Sequence, residues 1–181
     1  QIPNFITLAG LSFGLSSIRF SIDYNFEVSV ICLLMASACD ALDGFFSRVL
    51  KSESELGAEL DSLSDFLSFA VAPCILIYMS LINQNEVIGS IALLLFVVFS
   101  CIRLAVFNLN KDNAEDISSF FSGVPTPAGC GLLILPLVQS FLGFNWAKEN
   151  EIFLSIYIFI IGILLVSNLP TFSSKQFKIK I

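Results

Sequence analysis

Four aspartates carry the strongest chemical signal in this sequence. Asp40 and Asp43 stand three apart in Asp40-Ala41-Leu42-Asp43-Gly44-Phe45-Phe46-Ser47-Arg48. Asp61 and Asp65 stand four apart in Gly57-Ala58-Glu59-Leu60-Asp61-Ser62-Leu63-Ser64-Asp65. Those spacings put each pair on one face of a helix, and Ser68 and Ala72 extend the second face as a small, partly polar stripe. Both segments lie in apolar surroundings, where an ionised carboxylate is costly unless it has a partner or a function. The link between them is short, so the two helices should be antiparallel neighbours with all four carboxylates converging near one end. Four such charges repel one another unless cations sit among them, and hard oxygen ligands suit Mg²⁺, Mn²⁺ or Ca²⁺. Gly44 and Gly57 remove side chains where a substrate could approach the backbone. Arg48 and Lys51 add positive charge at the mouth. Metal ions with a nearby cation can clamp a pyrophosphate and stabilise charge in its transition state. Each element alone has a plainer reading. A single Asp is compatible with a helix cap, Arg48 and Lys51 with snorkelling at a membrane interface, and Asn4 after Pro3 with capping the first helix. The combination carries the chemistry.

The elements that must position these residues are membrane helices. Of 181 residues, 56% are hydrophobic and only 13% charged, with a mean hydropathy of +0.87. A small soluble domain cannot hide that much apolar surface. A bilayer core needs about 20 apolar residues per helix, and six candidates are present, at 5–22, 28–50, 60–82, 87–107, 126–144 and 152–169. Their links are short except for the polar stretch 108–124. The expected fold is an all-α, six-transmembrane-helix bundle, one domain over residues 1–181. Arg48, Lys51, Lys111, Lys175, Lys178 and Lys180 fall on one side of such a bundle, and only Arg19 and Lys148 on the other. The positive-inside rule puts the first side, both termini and the aspartates toward the cytoplasm. Gly10 and Gly14 form a GxxxG that reads as a packing contact. Pro73 and Pro136 should kink or loosen their helices. The sequence opens on Gln1 without an initiator Met or a signal-peptide pattern, so an upstream segment is expected.

Composition also excludes. There is no histidine, which removes Ser–His–Asp and Cys–His triads, His-ligated zinc and phosphohistidine intermediates. The five cysteines lie singly in apolar stretches with no CxxC pair, as buried small hydrophobes do. No basic surface of the nucleic-acid-binding kind is present.

The pattern Asp-x2-Asp-Gly-x2-Ala-Arg-x8-Gly-x3-Asp-x3-Asp is the signature of CDP-alcohol phosphatidyltransferases, and this chain resembles that family. Asp40, Asp43, Gly44, Arg48, Gly57, Asp61 and Asp65 keep every spacing, with Ser47 where the family usually has Ala. The resemblance implies that Asp40, Asp43 and Asp61 bind metal and the nucleotide's pyrophosphate. It implies that Asp65 is both ligand and catalytic base. Gly44, Arg48, Gly57 and Ser54 would contact the CDP group, and Asn4 would line the same pocket. Four further stretches, 2–7, 57–65, 103–108 and 120–128, look like membrane-embedded phosphatidylserine synthases. That resemblance implies CDP-diacylglycerol as donor and L-serine as acceptor, and the wider family implies a homodimer. For such an acceptor the fork-shaped guanidinium of Arg103 suits the carboxylate. The Ser122 and Thr126 hydroxyls, on the link restricted by Pro125 and Pro127, would cover the acceptor pocket. Two other readings compete. One is a sibling enzyme using glycerol phosphate, inositol phosphate or another alcohol. The other is a cation channel or transporter with aspartates in its path, for which Arg48 beside the aspartates would be a poor choice.

Overall fold

The computed structural model describes residues 2–50, 55–82, 87–112, 121–167 and 170–171. An apolar chain in lipid must satisfy its backbone internally, which favours helices, and the described residues are almost entirely helical. In order they are α1 (Ile2–Ile22), α2 (Phe26–Leu50), α3 (Glu55–Phe66), a π-helical turn (Leu67–Val71), α4 (Ala72–Ser80), α5 (Val87–Asp112), β1 (Phe121–Ser122), α6 (Thr126–Phe141), α7 (Trp146–Glu149), α8 (Glu151–Val166) and β2 (Pro170–Thr171). Four helical stretches are long and apolar enough to cross a membrane: Asn4–Ile22, Phe26–Ser47, Leu56–Ser80 and Val87–Asn108. Thr126–Phe141 and Glu151–Val166 are shorter apolar helices. Leu8, Leu34, Leu94, Ile102 and Ile160 are exposed on their outer faces, while Phe69, Leu76, Phe96, Leu133 and Ile158 fill the interior.

Small residues set the closest helix approaches. A Cβ at Gly10 would meet Cys39 Cβ at 3.2 Å and the Ala36 carbonyl oxygen at 3.6 Å, so α1 lies directly on α2. A Cβ at Gly14 would lie 3.1 Å from Ser68 Cα, in the π turn. The GxxxG is thus a packing device, as its spacing predicts. Farther along the same pair of helices, Ser29 Oγ lies 2.7 Å from Ser17 Oγ and 2.8 Å from Ser21 Oγ. All three serines are buried.

The two helix-interior prolines are accommodated differently. Pro73 has no N–H for the Phe69 carbonyl. The ladder just before it widens: the Ala72 N–H bonds the Leu67 carbonyl, five residues back. The π turn buries Ser68, Phe69 and Ala70, and α1, α5 and α6 all pack against it. Pro136 lies within a continuous α6 and leaves the Leu132 carbonyl without its usual donor. The Tyr157 hydroxyl of α8 donates to that carbonyl at 2.8 Å.

Several boundaries differ from expectation. The helix expected over 126–144 ends at Phe141, because Gly143 (φ 92°) closes it. Phe144 N–H bonds Gln139 O at 3.0 Å and Gly143 N–H bonds Ser140 O at 3.2 Å, a Schellman cap. The helix expected over 152–169 ends at Val166. Ser167 turns extended, and Ser167 Oγ and the Val124 N–H both donate to the Leu164 carbonyl. The span expected to start at residue 60 begins at Glu55. The short α7 and the antiparallel pairing of Phe121 with Thr171 and Ser122 with Pro170 are features that an apolar-run argument does not detect.

Candidate active site

Both aspartate-bearing helices pack on α1, and α2 and α3 meet through it rather than as the direct antiparallel neighbours that their spacing suggests. Asp40, Asp61 and Asp65 each offer a carboxylate oxygen, and these three oxygens lie within 4.8 Å of one another. Asp43 is directed differently. It is 5% exposed, and its Oδ2 accepts a 2.7 Å hydrogen bond from Thr7 Oγ1 of α1. It nevertheless lines the same narrow cleft as the other three, with Thr7, Gly10 and Ala36 on one wall and Ser64, Ser68 and Phe69 on the other. Ser64 Oγ donates to the Thr7 carbonyl at 3.4 Å, which ties α3 to α1. Asn108 Nδ2 donates to Ser62 Oγ at 2.9 Å, which ties α3 to α5. The aspartate-bearing helix is therefore pinned on both sides.

Like charges at such separations are costly. Two unit charges 4.8 Å apart repel by about 3.5 kcal/mol even at an effective dielectric of ~20. Among the described residues no Lys or Arg lines the cleft. Three converging hard oxygens, with a fourth carboxylate held alongside, fit a divalent cation.

The other expected site residues are placed as follows. Gly44 follows Asp43 directly, and Gly57 lies one turn before Asp61; neither lines the cleft. Asn4 sits one turn before Thr7 on α1, half-buried and also outside the cleft lining. Ser47 Oγ bonds locally to the Gly44 carbonyl at 3.2 Å, so a hydroxyl is readily accommodated there. Arg103 of α5 donates from Nη1 to Thr126 Oγ1 at 2.6 Å. Thr126 is fully buried. Arg103 Nε is buried with no hydrogen-bond partner among the described residues, although Asp65 is near enough to interact with the guanidinium through its charge. Ser54 lies outside the described residues, as do the side chains of Arg48 and Ser122. Thr7 and Ser64 were missed as site residues by sequence reasoning. A signal for Thr7 existed: Thr7, Gly10 and Gly14 share the i, i+3, i+7 face of α1.

The family model for CDP-alcohol phosphatidyltransferase matches residues 1–167. The chain belongs to this family. A CDP-diacylglycerol–serine O-phosphatidyltransferase of Mycobacterium leprae is 35% identical over 93% of this chain and 57% of its own length. One of Helicobacter pylori is 32% identical over 99% of this chain and 76% of its own length. The chain thus spans little more than half of the mycobacterial relative. The crystal structure of Mycobacterium tuberculosis phosphatidylinositol phosphate synthase with CDP-DAG bound superposes with a TM-score of 0.65 at 17% identity. It covers 91% of this chain and 80% of its own, which establishes a common fold. Family membership and the long apolar helices together mark an integral membrane protein.

Proposed function

We propose that the chain transfers the phosphatidyl group of CDP-diacylglycerol to L-serine, giving phosphatidylserine and CMP, within a six-span membrane bundle. The observation that carries this is the convergence of Asp40, Asp61 and Asp65 within the family's motif. The choice of serine rests on the relatives' names and on Arg103. A bound Mg²⁺ or Mn²⁺ would neutralise the diphosphate and polarise the phosphorus under attack. Asp40, Asp43, Asp61 and Asp65 would hold it, with Asp43 oriented by Thr7. Gly44, Gly57, Arg48, Ser54 and Asn4 would line the nucleotide's approach.

The reaction forms a bond between the serine hydroxyl oxygen and the phosphorus that bears diacylglycerol, and breaks the P–O bond to CMP. The hydroxyl proton goes to Asp65, since the chain has no histidine to take it. Arg103 suits the carboxylate of the amino acid. Its Nη1 is fixed by Thr126 and its buried Nε lacks a hydrogen-bond partner among the described residues, a donor in want of an acceptor. Thr126 then acts by orienting Arg103, and Ser122 belongs to the same acceptor region.

The acceptor test offers serine, glycerol 3-phosphate and inositol phosphate with CDP-diacylglycerol to the purified protein and measures CMP release. Serine should be preferred. Preference for either phosphate ester would overturn the assignment and leave only the family. Arg103→Ala should raise the KM for serine by roughly ten- to a hundredfold, the loss of a charge-assisted hydrogen bond, with a smaller change for the lipid. An unchanged serine KM would clear Arg103 of this role.

The same reading opens the cleft to the cytoplasm, because CDP is too polar to enter lipid while acyl chains remain there. Single cysteines at Lys51 and Lys148, in a cysteine-free background, should react with an impermeant reagent from opposite faces of the membrane. Reaction of both from one face would refute this topology. A homodimer belongs to the same proposal and is checked by mass measurement in detergent or nanodiscs.

A further inference from the structure

Helical serines in this chain mostly satisfy their hydroxyls locally. Ser12, Ser16, Ser21, Ser62 and Ser155 each donate to the carbonyl four residues back. Ser68 departs from that habit. It is 1% exposed, and its Oγ has no partner among the described residues. Ser80 and Ser100 also hold a buried, unpartnered hydroxyl, but of these three only Ser68 lines the carboxylate cleft. A buried hydroxyl left unpaired is costly, so one kept at the wall of a site calls for a ligand.

The local architecture makes room for it. Ser68 lies in the π turn, about one helical turn inward from Asp65. A Cβ at Gly14 would collide with Ser68 Oγ, so the missing side chain on α1 leaves the space that the hydroxyl occupies. The helices that carry Arg103 and Thr126 pack against this same turn. Ser68 therefore sits on a turn that α1, α5 and α6 all touch, beside the aspartate set.

We propose that Ser68 determines acceptor specificity, its Oγ accepting a hydrogen bond from the ammonium group of an amino-acid acceptor. The inference rests on the amino-acid reading above. An amino alcohol acid presents three polar ends. Asp65 takes the hydroxyl proton and Arg103 suits the carboxylate, which leaves the ammonium for a group of the cleft not already engaged. Among the described lining residues Ser68 holds a buried hydroxyl without a hydrogen-bond partner.

The experiment compares L-serine with 3-hydroxypropanoate, which keeps the hydroxyl and carboxylate and lacks the amine. Wild-type protein is measured first. Failure to use L-serine would overturn the amino-acid reading, and this inference with it, before any variant is made. Ser68→Ala should then raise the KM for L-serine by roughly three- to tenfold, the worth of one neutral hydrogen bond. The KM for CDP-diacylglycerol should stay within about twofold, and the KM or inhibition constant of 3-hydroxypropanoate should not move. Thermal stability should hold or rise, because the substitution removes a buried, unpaired polar atom. Where the Ala variant does not fold, Ser68→Cys keeps the shape with a much weaker hydrogen-bonding group and should change the constants in the same direction. An unchanged serine KM, or equal rises for serine and 3-hydroxypropanoate, would overturn the assignment while leaving serine as the acceptor.

Discussion

Excess EDTA is expected to abolish transfer by the purified protein, and added Mg²⁺ or Mn²⁺ to restore it. Three carboxylate oxygens within 4.8 Å of one another, with no lysine or arginine among the described residues that line their cleft, repel strongly unless a cation sits among them. The same cation would be needed to neutralise the diphosphate of the donor. Asp40→Asn, Asp43→Asn and Asp61→Asn should each lower turnover by about 10²-fold or more, the scale of removing a preorganised electrostatic contact. A binding readout separates this from misfolding. Divalent cation should raise the melting temperature of the wild type by mass action, and the Asn variants should lose that increment while remaining folded, since each relieves repulsion in the cluster. Full activity in EDTA, or an undiminished cation-induced shift in all three variants, would remove the metal site.

Asp65→Asn should lower kcat by roughly 10²–10⁴-fold, the usual worth of a positioned general base, with only a few-fold change in the affinity for CDP-diacylglycerol. An alcohol is a poor nucleophile until its proton leaves. Among the cleft residues the candidates for receiving that proton are carboxylates, and Asp43 is already engaged by Thr7. Asp65 also lies on the helical face that continues inward to Ser68, toward the proposed acceptor subsite. A carboxylate is a weak base, so the proton moves as the new P–O bond forms. Near-normal kcat in Asp65→Asn would exclude it from this role. A loss of lipid affinity equal to the loss of kcat would reduce it to a metal ligand.

An all-helical, membrane-like chain and the meeting of Asp40 with Asp61 and Asp65 were legible because both rest on local periodicity. The expected six spans are matched by four long apolar helices and two shorter ones. Apolar runs flag a membrane helix regardless of what packs against it. The spacings between Asp40 and Asp43 and between Asp61 and Asp65 fix each pair to one helix face through backbone geometry alone. That the two faces meet was expected from the short link between them, but it is α1, packed against both helices, that joins them. The Gly10–Gly14 spacing likewise announced a close approach, though not its partners.

What the chain alone left open depends on groups brought together from distant segments. That Thr7 would bond Asp43, thirty-six positions away, follows from how α1 settles on α2 through Gly10, and no periodicity encodes the rotation of one helix against another. That Pro73 would be relieved by a π turn while Pro136 would be served by Tyr157 depends on which neighbour can reach the orphaned carbonyl. The pairing of Arg103 with Thr126 needs α5 and α6 side by side. The sequence by itself determined the chemistry available, a carboxylate set in an apolar helical chain without histidine, because residue type and helical spacing are local properties. Tertiary structure decided which three carboxylates meet most closely, which hydroxyl holds the fourth, and which buried hydroxyl remains unpaired at the cleft wall, because those outcomes follow from the rotation and depth at which helices pack.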